Sequence, residues 1–121
     1  MADRRMLSLK IIDTDKFVEM PVSARLLYYE LCMRADDDGF VSSPQKILRM
    51  VGCSGDDLKL LCAKTYIIPF ESGVCVVKDW KIHNYIQTDR YKKTIYTEEF
   101  SQLQQKENKE YCLDTACIQT V

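Results

Sequence analysis

Residues 43–80 read SPQKILRMVGCSGDDLKLLCAKTYIIPFESGVCVVKDW, and the spacing of their apolar, turn and β-branched positions predicts the fold. Ser43-Pro44 opens a short helix through Ile47, Leu48 and Val51, and Gly52-Cys53-Ser54 makes a tight turn. A second helix runs from Gly55 to about Thr65. Ser54 and Asp57 form a capping-box pattern at its start, with Asp56 and Asp57 at the favourable end of the helix dipole. Tyr66 to Phe70, the turn Glu71-Ser72-Gly73, and Val74 to Val77 then read as a hairpin, with Gly73 where a positive φ is needed. Pro69 cannot donate to a ladder, which puts its strand at a sheet edge. Helix, turn, helix and hairpin in this order is the order of a winged helix, whose second helix commonly enters a DNA major groove. The expected fold class is α+β and mostly helical: a winged helix-turn-helix with a small antiparallel sheet and an extra C-terminal segment.

Upstream, Arg5 to Leu9 reads as an edge strand or an extended arm, and Asp13 as the N-cap of a short helix holding Phe17 and Val18. Pro21 suits the start of the next helix, with Ser23 as the rival cap. Ala24, Leu27, Tyr28, Leu31 and Ala35 then form one buried helical stripe, which Leu26 is expected to widen. Asp36-Asp37-Asp38-Gly39 ends that helix. It lacks the alternating acids and closing Glu of an EF-hand loop, so it reads as a turn rather than a metal site. Phe40-Val41 is a short strand able to pair with the hairpin. Downstream, Trp80, Ile82, Tyr85 and Ile86 either dock the chain back on the domain or stack bases, and docking is preferred because aromatics carry large apolar area. Residues 1–100 are expected to form the winged-helix domain, and 101–121 a polar extension, partly helical or frayed.

Composition narrows the class. The chain has 121 residues, 46% hydrophobic and 29% charged, which suits one globular domain. No apolar run approaches the roughly 18 residues of a membrane span, and the first residues lack a signal-peptide stretch, so a cytoplasmic protein is expected. The six cysteines are scattered without C-x-x-C, beside the single His83. They read as reduced thiols, with no metal and no cofactor. No nucleophile–base pair, phosphate loop or carboxylate dyad stands out, so no enzyme is expected.

The net charge is −1, but it is unevenly spread. Residues 43–64 carry Lys46, Arg49, Lys59 and Lys64 against two Asp. Residues 78–93 carry Lys78, Lys81, Arg90, Lys92 and Lys93 against two Asp. These nine cations are the expected DNA contacts, directed mainly at phosphates of double-stranded DNA. Placed at 100° per residue, the second helix points Lys59, Leu60, Ala63 and Lys64 outward. That face has no Arg and no Asn for base edges, so sequence-specific readout is not expected. Leu60 and Ala63 instead suggest a partner interface.

With these residues in view, the chain resembles the N-terminal domain of phage replisome organisers, the DnaD-like replication initiation proteins. The resemblance rests on Met20-Pro21-Val22-Ser23-Ala24, on Met33 to Val41, on Pro44 to Met50, and on Asp56 to Leu61. It continues through Ser72-Gly73-Val74, Trp80 to Ile86 and Asp89 to Lys92, covering roughly residues 4 to 100. It implies a winged helix serving replication initiation at phage origin DNA, with a helicase or helicase loader as further partners. Family members usually continue into a C-terminal part, and a basic residue expected after Lys64 is replaced by Thr65-Tyr66. Two other readings stay open. One is an oligomerisation scaffold of the same fold, self-associating through residues 56–64 or Met6–Ile12. The other is a transcription regulator, disfavoured by the missing base-reading side chains.

Overall fold

The structure is a computed structural model that describes residues 5–84, 86 and 88–113. Two single helical turns, α1 (Leu9–Ile12) and α2 (Asp15–Val18), follow an extended arm at residues 5–8. Thr14, not Asp13, caps α2, accepting a hydrogen bond from the Phe17 N–H at 3.2 Å. The long helix α3 (Val22–Met33) starts one residue after Pro21 and buries Ala24, Leu27, Tyr28, Leu31 and Cys32. Leu26 falls off this stripe and is exposed. Strand β1 (Phe40–Val41) leads to α4 (Pro44–Val51) and α5 (Gly55–Ala63), and α3 packs on both of these helices.

Both turns of the helix pair end in the same way. Gly52 (φ 86°) follows α4, and the Cys53 N–H returns to the Leu48 carbonyl at 3.0 Å. After α5, Thr65 takes φ 62°, its N–H reaches the Cys62 carbonyl, and the Tyr66 N–H returns to Leu61 at 2.9 Å. This is a Schellman stop, and it ends α5 two residues before Thr65, which is exposed and takes no place on the core face. The capping box at Ser54 and Asp57 is present, with the Ser54 N–H donating to the Asp57 carboxylate at 3.0 Å.

Strands β2 (Ile67–Pro69) and β3 (Cys75–Val77) form the expected hairpin, with Gly73 at φ 91°. They join β1 in an antiparallel sheet of order β1-β3-β2, so the Pro69 strand is indeed an edge. The short helix α6 (Trp80–His83) follows at once and sinks Trp80 completely, its indole N–H donating to the Asp37 carbonyl at 3.0 Å. Docking is thus the role of this ring, and burying an indole contributes about 5 kcal/mol gross. The core beneath holds Phe17, Tyr28 and Tyr66 edge to face at 5.4–5.6 Å.

The C-terminal region departs from expectation. After α7 (Thr97–Ser101), β4 (Leu103–Gln105) and β5 (Tyr111–Leu113) form a second antiparallel hairpin where helix or fraying was expected. Tyr111 is the reason. Its ring is buried, its hydroxyl donates to the Asp38 carbonyl at 3.0 Å, and its N–H donates to the Lys78 carbonyl at 2.9 Å. Residues 103–113 are therefore pinned to the same core as the first hundred. Tyr85 and the fraying expected near the C-terminus beyond Leu113 lie outside the described residues. Among the described residues, no helix is long and apolar enough to cross a membrane.

Candidate nucleic-acid interface

The nine expected cations fall into two groups. Lys46 and Arg49 on α4, Lys59 on α5, and Arg90, Lys92 and Lys93 after α6 are exposed, and among the described residues none forms an ion pair. Lys78 and Lys81 are engaged, and Lys64 is half-buried. Lys78 is half-buried between Asp79 (3.7 Å) and Glu110 (3.4 Å), and Lys81 reaches Asp38 at 3.4 Å with its ammonium 5.5 Å from the Tyr91 ring centre. Lys64 is half-buried where α5 ends, and its carbonyl accepts from the Lys16 ammonium at 2.9 Å.

The outward face of α5 is also rotated from its expected setting. Leu60 is half-buried and packs on the core, whereas Ala63 and Lys59 are exposed. The cause is Asp57. It is buried, and its carboxylate takes the Ser23 hydroxyl from α3 at 2.7 Å as well as the Ser54 N–H. Burial alone pushes the Asp57 carboxyl up, but the hydrogen bonds from Ser54 and Ser23 outweigh it and hold it below the ordinary carboxylate range. A buried Asp57 turns the inner arc of α5 toward Leu60 and Lys64, so Leu60 packs against the protein's own core.

The aspartate run is a turn, as expected, and also a hub that binds distant parts of the chain. Asp36 accepts from the N–H groups of Asp38 (2.9 Å) and Phe40 (3.0 Å) and from the Thr94 hydroxyl (2.5 Å). Asp37 accepts from the Lys92 N–H at 3.0 Å and faces Arg5 at 3.5 Å. Asp38 accepts from the Tyr91 hydroxyl at 2.7 Å and the Thr94 N–H at 2.8 Å. Residues 91–94 are thereby fixed from behind while Lys92 and Lys93 project outward. Thr94, which lines a groove beside them together with Arg34, carried no sequence signal of its own, because its acceptors Asp38 and Asp36 lie 56 and 58 residues back in the chain.

Among the described residues, none of the free thiols is poised for chemistry. Burial pushes Cys32 and Cys75 up to about 12, and Cys53 and Cys62 are also raised by burial. Cys32, Cys53, Cys62 and Cys75 are free, but Cys112 is disulfide-bonded, against the expectation of reduced thiols throughout. His83 is structural: its Nδ1 accepts the Ser8 N–H at 2.8 Å and its Nε2 lies 2.6 Å from the Tyr28 hydroxyl. Among the described residues, no group of three His, Cys, Asp or Glu side chains is arranged to hold a metal ion. Comparison of the chain with protein-family models, with curated proteins and with solved structures gives no match.

Proposed function

We propose that this chain is a DNA-binding winged-helix domain whose contacts are dominated by phosphates, acting without catalysis in the cytoplasm during phage or prophage replication initiation. The observation that carries the reading is the trio Lys46, Arg49 and Lys59. All three are exposed on the two helices that run into the β2–β3 hairpin, and none spends its charge on an ion pair among the described residues. Lysine and arginine on such a pair contact the backbone of a duplex well, and α5 carries no Arg, Asn or Gln on its outward face, which predicts little base discrimination. Lys78 and Lys81 drop out of the duplex contact set, since both already have carboxylate partners, and Arg90, Lys92 and Lys93 are left out of it because they lie after α6, off the helix pair. The replication context, and a helicase or helicase loader as partner, rest on the resemblance alone.

The test is a salt titration of duplex binding. Three phosphate contacts give a slope of about −3 in log K against log salt, and Lys46→Ala/Arg49→Ala together reduce its magnitude by about 2. Duplex binding that ignores salt, or survives that double substitution unchanged, removes the reading.

A scaffold role has one observation in its favour, away from the α5 face. Val22 (71% exposed), Leu26 (41%) and Met33 (59%) form a second apolar stripe along α3, on the side opposite the core. If that stripe pairs two copies, the chain sediments as a dimer and Leu26→Glu returns it to monomer with an unchanged melting temperature.

A further inference from the structure

A groove of about 220 Å³ opens between the end of α3 and residues 92–96. We propose that it binds one unpaired nucleotide of a single-stranded polynucleotide, a specialisation that rests on the DNA-binding reading above.

Its walls have two characters. Arg34, Lys92 and Lys93 supply cations, while Phe40, Ile95 and Tyr96 supply apolar surface. Ile95 is 77% exposed, an uncommon setting for so large an apolar side chain, and it stands beside the half-buried Tyr96 ring. The one acid in the lining is Asp36, and both its oxygens are taken up inwardly by Asp38, Phe40 and Thr94. Arg34 is tied only to Glu30, four residues back on the same helix, at 2.6 Å. Half-exposed pairs of this kind contribute little, so the guanidinium can turn to an anion at small cost.

The groove wall is also held in place before any ligand arrives. Asp37 takes the Lys92 N–H, Asp38 takes the Thr94 N–H, and the Thr94 hydroxyl in turn accepts the Tyr96 N–H at 3.2 Å. A wall fixed in this way loses little conformational freedom on binding. Cations beside an aromatic and apolar wall match a phosphate joined to a flat ring. A duplex keeps the flat faces of its bases stacked inside, so it cannot lay a ring on the apolar half. An acidic peptide fits the cations but leaves Ile95 and Tyr96 without a ring to cover them.

The experiment compares binding of the full chain to oligothymidylate, to a duplex of the same length and to an oligoglutamate peptide at low salt. Ile95→Asp and Lys92→Ala/Lys93→Ala change exposed side chains only, and melting curves check that each variant folds. Each should weaken oligothymidylate binding about tenfold while duplex binding stays within about twofold. The lysine pair should also reduce the single-strand salt slope by about 1.4. Lys46→Ala/Arg49→Ala should do the reverse, weakening duplex binding more than oligothymidylate. Oligothymidylate binding untouched by either groove variant overturns the proposal, as does an oligoglutamate peptide that binds as tightly and is lost in the same variants. If the chain binds duplex but no single strand, the groove proposal fails and the duplex reading stands; if it binds neither, both fail.

Discussion

Gly39 sits at φ 91°, and a Cβ there would lie 2.6 Å from Trp80 Cγ and 2.7 Å from its Cβ. The indole cannot retreat, because it is fully buried and hydrogen-bonded to Asp37. Gly39→Ala combines a left-handed backbone with overpacking, so it should cost about 2–5 kcal/mol in urea unfolding. A loss under about 1 kcal/mol would mean the Asp36–Gly39 turn is softer than its hydrogen bonds imply. His83 gives a second prediction at this scale. Because the Ser8 N–H donates to Nδ1, the ring proton belongs on Nε2, facing Tyr28, and burial depresses the His83 pKa to about 4. The unfolded chain therefore takes up the proton first as pH falls. Stability is full above the ordinary histidine pKa near 6.5 and declines steadily toward pH 4. Between pH 7.5 and 5 the loss should be about 1–2 kcal/mol. His83→Gln should flatten that slope. Asp79, raised by burial, works in the opposite sense but only toward the acid end.

Among the elements, α4 and α5 stop by the same motif with different residues, and the difference is measurable. Gly52 takes its positive φ freely, while Thr65 is β-branched and holds φ 62°. Thr65→Gly should raise stability by about 1 kcal/mol, read as a higher denaturant midpoint with the slope unchanged. A lower midpoint would show that the Thr65 side chain makes up the backbone strain through its contacts. The same residue explains part of what the sequence conceals. A helix stop marked by glycine is legible, and a stop carried by Thr65 is not, so α5 was read two residues too long. The second hairpin hides for the same reason, since its positive φ falls on Lys109. Its strands are also only three residues each, β4 carrying two glutamines, and they hold because Tyr111 plugs the core. By contrast α3 and the β2–β3 hairpin were legible, because their signals are local: a helical stripe, a three-residue turn and Gly73. The site was half legible. Positive charge is visible in a sequence, but its neutralisation is not when Lys81 and Asp38 stand 43 residues apart. On α5 the apolar spacing makes the buried Leu58 and Leu61 legible, but not the side of the arc held by Asp57, a charged residue.

For the molecule as a whole, a net charge of −1 says little about the surface. Asp37 and Asp38 are buried, the hub turns its carboxylates inward, and Lys78 and Lys81 are consumed in ion pairs. What remains outside at the helix pair and after α6 is Lys46, Arg49, Lys59, Arg90, Lys92 and Lys93 against Asp56 and Asp89, a surface more basic than the total suggests. Lys78 separates a structural cation from a binding one. It joins Asp79, whose side chain is 3% exposed, to Glu110 just before β5, and so fastens the second hairpin to the base of the first. Lys78→Ala leaves a buried carboxylate without its cation, which should cost about 1–2 kcal/mol and lower the melting temperature by about 5 °C. The salt slope of duplex binding should not move. Lys59→Ala should behave in the opposite way, reducing the slope by about 0.9 with no change in melting temperature. If Lys78→Ala lowers the slope and spares the melt, the base of the hairpin touches DNA and Glu110 is an incidental neighbour. The interface would then extend from the helix pair across the hairpin base toward Lys81.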